Sequence, residues 1–127
     1  MKEIINSTKA PAPIGPYSQA VKSNGMLYVS GQIPINQESG EIVNENIDVE
    51  TEQVMKNLGF ILEEAGLAFK NVIKCSIFVS DMGDFQKINE VYGRFFEANP
   101  PARETVEVSG LPKGVNVEIS CIATFED

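Results

Sequence analysis

Only two arginines occur in the 127 residues of this chain, and one of them, Arg103, follows a double proline at the mouth of a strand-like run, PPARETVEV. A guanidinium held there suits a planar carboxylate, which it can take through two charge-assisted hydrogen bonds that fix orientation as well as position. Histidine is absent. That excludes Ser-His and Cys-His catalysis and removes the residue that most often serves as general base near neutral pH. Chemistry is left to arginine, tyrosine, carboxylates, backbone groups and water. Glu118, inside a second strand-like run, is of the type that draws a proton from water as its oxygen attacks an electrophile.

The elements that must position these groups are legible from periodicity. Residues 9–16, KAPAPIGP, contain three prolines and fix an extended, non-helical entry. The stretch YSQAVKSNGMLYVSGQ reads as a hairpin turning at Asn24-Gly25, the dipeptide suited to a type I′ turn. Residues 34–47 are polar and turn-rich, with a short strand expected at Glu41 to Val43. From Asp48 to Ala65 the apolar set Val54, Leu58, Ile61, Leu62 and Ala65 recurs at helical spacing, with acidic residues early and Gly66 as a stop. Residues 71–80 read as a strand with Ile73, Cys75, Ile77 and Val79 on one face. A second helix is expected from an Asp84 cap through Phe85, Ile88, Val91, Tyr92, Phe95 and Phe96, ending before Pro100-Pro101.

The last third predicts two strands, Arg103 to Val108 and Asn116 to Phe125, joined as a hairpin by SGLPKG. Val117, Ile119, Cys121, Ala123 and Phe125 share one face of the second, and Val106 and Val108 match them from the first. Alternation then sends Arg103, Thr105 and Glu107 to the face of Glu118 and Ser120, with Arg103 nearly opposite Glu118. On spacing alone that pair reads first as a cross-strand ion pair worth ~0.2–1 kcal/mol. Arg94, the other arginine, is expected in an i,i+4 pair with Glu90. The pattern is α+β, β-β-α-β-α-β-β, with two helices on one face of a mixed sheet. The other face carries Ile122 among polar groups, and we expect copies of the chain to cover it in a homo-oligomer.

Composition bounds the partners. The length fits a single domain spanning residues 1–127. A net charge of −8, from 10 basic and 18 acidic residues, repels phosphate backbones and anionic membranes, so neither nucleic acid nor membrane is an expected partner. The N-terminus lacks the apolar stretch of a signal peptide and no run approaches the ~20 apolar residues of a span, so a cytoplasmic location is expected. Cys75 and Cys121 lie in apolar strand contexts without CxxC spacing and read as reduced core residues, with no metal site.

Four motifs, IGPYSQA at 14–20, YVSGQIP at 28–34, PPARETVEV at 100–108 and LPKGVNVEI at 111–119, resemble the RidA (YjgF) family of reactive-intermediate deaminases, in order along essentially the whole chain. The resemblance implies a chorismate-mutase-like fold and a homotrimer whose sheets form a central barrel, with three clefts between neighbouring subunits. It implies hydrolysis of enamine and imine acids, of the 2-aminoacrylate type and including 2-iminobutanoate and 2-iminopropanoate, to 2-keto acids and ammonia without a cofactor.

By the same resemblance Arg103 binds the substrate carboxylate and Glu118 directs water. Tyr17, Ser30, Gly31 and Asn89 line the site. Thr105 stands where many close members carry cysteine; because the family's backbone faces the imine nitrogen at that position, the deaminase reading survives the change, while a thiol-dependent role does not. Two other readings compete. A non-catalytic carboxylate-binding or chaperone-like trimer would use the same cleft without releasing ammonia. A ribonuclease or translation inhibitor would demand a basic track and stacking aromatics.

Overall fold

Asn24 and Gly25 adopt φ angles of 57° and 78°, the backbone that a two-residue type I′ turn requires, in the computed structural model of this protein, which describes residues 1–126. The turn joins β2 (Ala20–Ser23) to β3 (Met26–Gln32) as the sequence predicts. A short β1 (Glu3–Ile5), which periodicity did not announce, adds to the edge of β2. Helix α1 (Ile47–Glu64) starts at Asn46, whose side chain accepts from the Val49 N–H, and buries Val54, Leu58, Ile61 and Leu62. Then follow β4 (Val72–Val79), α2 (Phe85–Gly93), β5 (Ala102–Glu107) and β6 (Val117–Thr124). The six strands form one mixed sheet in the order β1-β2-β3-β6-β4-β5, antiparallel throughout except for the parallel β4–β5 pair.

Both helices pack on one face of this sheet. Leu27, Val29, Cys75, Ile77, Val79, Val117, Ile119, Cys121 and Ala123 project toward them and form the core. The architecture is thus the α+β arrangement expected of two helices on a mixed sheet. The face away from the helices carries Tyr28, Lys74, Ser76, Phe78, Glu118, Ser120 and Ile122.

The predicted final hairpin is not there. β5 and β6 do not pair: β6 inserts between β3 and β4, and β5 lies beyond β4 at the sheet edge. β6 has the most regular alternation of buried and half-buried positions, and a central place lets it bury its apolar face between two partners. Nearest-neighbour pairing is the commoner outcome for consecutive strands, but it is not obligatory. The faces of β5 are also reversed from expectation. Arg103 and Thr105 stand beside Cys75 and Ile77 in register, on the helix-covered side, whereas Val106 is on the open side and exposed. At an edge strand the helix-side positions lie on the rim of the core, where polar residues remain partly wet.

Smaller departures have local causes. A register shift between Val72 and Lys74 buries Val72 and turns Ile73 outward, so Ile73 is not in line with Cys75. Helix α2 ends at Gly93, and Phe95 and Phe96 continue past it to pack on the core. Asp84 makes no side-chain cap; Asp81 instead accepts from the Gly83 N–H at 2.8 Å. The expected strand at 41–43 is reduced to a single bridge, Ile35 with Ile42. Arg94 pairs with Glu90 as predicted, and both cysteines are buried and free.

Candidate functional site

Arg103 is the basic residue that the fold treats differently. Its Nη1 donates to the Asn89 Oδ1 at 2.6 Å, and its guanidinium carbon lies 5.1 Å from the Tyr92 ring centroid and 5.6 Å from that of Phe85. All three partners sit on α2, which passes over the edge strand. None is an anion. Among the described residues no carboxylate lies within ion-pair distance of Arg103; several lysines share that condition, since only Arg94, Lys9, Lys56 and Lys74 have such a partner. Arg103 stands apart in being held by a side-chain amide and two rings at once. A fixed cation with neutral neighbours and free N–H groups is built to receive an anion.

Beside it, the Thr105 Oγ1 is buried and has no hydrogen-bond partner. The Tyr92 hydroxyl is likewise without an oxygen or nitrogen partner and lies by the Cys75 thiol. Burial pushes both Cys75 and Tyr92 up from their ordinary ranges, so both stay protonated.

A second set gathers on the opposite face. Ile14, Tyr17, Ser30, Gly31, Ile33, Pro112 and Glu118 line an open cleft of about 340 Å³. Gly31 is there because Glu118 folds across it: a β-carbon at position 31 would strike the Glu118 carboxylate. Burial raises the Glu118 carboxyl above its ordinary 4.5. Ser30 is tied to the chain before it, its hydroxyl donating to the Ser18 carbonyl at 2.6 Å and its N–H to the Gln19 carbonyl at 2.9 Å. Tyr17 is about half exposed, and its hydroxyl accepts from the Ile14 N–H at 3.3 Å.

The predicted site residues therefore fall into two groups. Arg103, Asn89 and Thr105 come together on the helix side; Tyr17, Ser30, Gly31 and Glu118 come together on the other. Arg103 is not opposite Glu118. It pairs in register with Cys75, while Glu118 aligns with Phe78 and, one strand further, Val106. Two strand spacings of about 4.8 Å and three residues of about 3.3 Å separate the two backbones, and their side chains leave opposite faces.

Sequence reading missed three supports. Buried Gln19 pins the proline-rich entry through bonds with Ser7, Ala10 and Pro11; its place in IGPYSQA was the available signal. Fully buried Glu50 accepts from the N–H and side-chain amide of Asn116, at 2.6 and 2.9 Å, between the Pro112 turn and Glu118. Phe85 and Tyr92, which helical spacing marks only as positions of the second helix, present their rings to Arg103.

The family model described as endoribonuclease L-PSP matches residues 7–125. This chain belongs to the RidA family. It is 51% identical to a RutC family protein of Pyrococcus horikoshii over 99% of this chain and 100% of that one. It is 45% identical to a mouse protein named 2-iminobutanoate/2-iminopropanoate deaminase, over 97% and 91% of the two chains. A solved structure of the Rid protein family from Yersinia pestis superposes with a TM-score of 0.95 at 45% identity, over 98% of this chain and 99% of that one. RidA membership agrees with the fold, and the deaminase name of the mouse relative supports imine deaminase activity in general.

Proposed function

We propose that this protein is a cofactor-independent hydrolase of reactive enamine and imine acids, 2-aminoacrylate, 2-iminopropanoate and 2-iminobutanoate among them, giving 2-keto acids and ammonia. The observation that carries this reading is the unneutralised Arg103, held by Asn89 and two rings with N–H groups to spare. A 2-imino acid supplies the planar carboxylate that fits it. With the carboxylate gripped, Glu118 accepts a proton from water as the oxygen bonds to C2 and the C=N π pair moves to nitrogen. The reaction starts from the protonated imine, which 2-aminoacrylate reaches as its imine tautomer. The proton taken from water then passes from Glu118 to the amino group, and Glu118 takes the proton of the new hydroxyl as C=O forms and C–N breaks, releasing ammonia. Burial raises the Glu118 carboxyl above its ordinary range, which makes the carboxylate a stronger base toward water than a fully solvated one. General-base help and ordering of ~10²–10⁴-fold suffice, because imines hydrolyse unaided.

One chain cannot bring Arg103 and Glu118 to the same small molecule, because they occupy opposite faces. This supports a homotrimer in which Arg103, Asn89 and Thr105 of one chain face Tyr17, Ser30, Gly31 and Glu118 of its neighbour. The half-exposed Tyr28, Ile4 and Val106 supply apolar area for such contacts. A net charge of −8 works against RNA as substrate, which places the nuclease reading behind this one. The deciding assay generates 2-aminoacrylate in situ with a dehydratase acting on serine and follows keto-acid appearance. Wild type should accelerate it and Arg103→Ala should not; saturable keto-acid binding without acceleration would instead favour a non-catalytic binding protein.

A further inference from the structure

We infer that Tyr92 and Phe85 are positioning residues for Arg103: their rings form a shelf that holds the guanidinium plane in the orientation a carboxylate requires. The inference rests on the carboxylate-binding reading of Arg103 above and adds to it the means by which that residue is aimed.

An arginine side chain on an edge strand has considerable rotamer freedom to lose before it can bind anything. A single hydrogen bond to Asn89 fixes one nitrogen but leaves rotation about that contact. The two rings remove it. Both centroids lie within the range at which a guanidinium is attracted to a ring face, at 5.1 Å and 5.6 Å, and this attraction strengthens when the pair is partly desolvated. Neutral rings also leave the positive charge available, as a carboxylate partner would not.

The shelf is itself braced. Tyr92 is buried and packs on Phe96 at 4.9 Å between centroids; Phe96 meets Phe69 edge-on at 5.6 Å. Phe69 lies so close to Gly59 of α1 that a β-carbon there would sit 3.2 Å from its ring. The hydroxyl of Tyr92 does none of this work, since it has no oxygen or nitrogen partner. The ring alone should matter.

The experiment compares Tyr92→Phe, Tyr92→Leu and Phe85→Leu, each also combined with Arg103→Ala, by imine hydrolysis kinetics and by calorimetric affinity for pyruvate. Tyr92→Phe should stay within about twofold of wild type. Tyr92→Leu and Phe85→Leu should each raise KM and the pyruvate Kd about five- to tenfold with kcat changed little. In the Arg103→Ala background the same changes should add nothing, because the shelf acts only through the guanidinium. Full additivity, or wild-type affinity in both leucine variants, would overturn the inference. Phe85 is only partly buried, so its variant tests the idea even if Tyr92→Leu does not fold. Unaltered pyruvate affinity in Arg103→Ala alone would instead sink the underlying carboxylate reading.

Discussion

The carboxylate of Glu118 occupies the space in which any side chain at residue 31 would have to begin. Gly31 is thus a requirement of packing rather than of backbone conformation, and it couples the end of β3 to the aim of a β6 side chain. Because the obstructing atoms are the far end of a flexible side chain, Gly31→Ala should leave the fold intact and push the carboxylate away. We expect thermal stability within a few degrees of wild type and a kcat reduced by roughly 10²-fold, the scale of losing a positioned general base. Full activity in this variant would separate Glu118 from catalysis.

Arg103 and Glu118 leave opposite faces of the sheet, so the proposed site needs two chains. Arg103→Ala should lower kcat/KM roughly 10²–10³-fold through two lost charge-assisted hydrogen bonds, and Glu118→Gln should be comparably impaired. Mixed by unfolding and refolding together at equal amounts, the two inactive variants should recover about one quarter of wild-type activity, since each cleft draws one residue from each neighbour in a closed ring. No recovery in verified mixed oligomers would count against shared clefts.

Burial raises the Glu118 carboxyl above its ordinary 4.5, and a general base works only when ionised. Activity should therefore fall as pH drops through that raised value, with an acid limb in kcat/KM lying above 4.5 and absent from the residual activity of Glu118→Gln. A limb at or below the ordinary carboxylate value would contradict the desolvated environment.

Asn89 holds one end of Arg103 at 2.6 Å. Removing that acceptor in Asn89→Ala should raise KM about 3- to 10-fold, the equivalent of one ordinary hydrogen bond, with kcat little changed. Steady-state kinetics on the in situ imine would show the split.

Glu50 is fully buried and accepts both donors of Asn116. Glu50→Leu leaves those donors unpaired next to the Pro112 turn, at a cost of about 1–3 kcal/mol for each buried orphan. Urea denaturation should report the loss as a lower midpoint with unchanged slope.

Periodicity and turn chemistry by themselves determined most of the elements: the Asn24-Gly25 turn, the buried stripe of α1, the alternation of β6 and the Arg94–Glu90 pair are local patterns governed by chain neighbours. The four motifs in order determined the family. What the sequence could not decide was which strands lie side by side, because strand pairing depends on burying β6 between two partners rather than on distance along the chain. That choice moved β5 to the edge and placed Arg103 on the helix side beneath Asn89, Tyr92 and Phe85. It also sent Glu118 to the other face. Tertiary structure alone decided that these two residues are apart within one chain, since a side chain's face is fixed by the register of its neighbours and not by its own alternation.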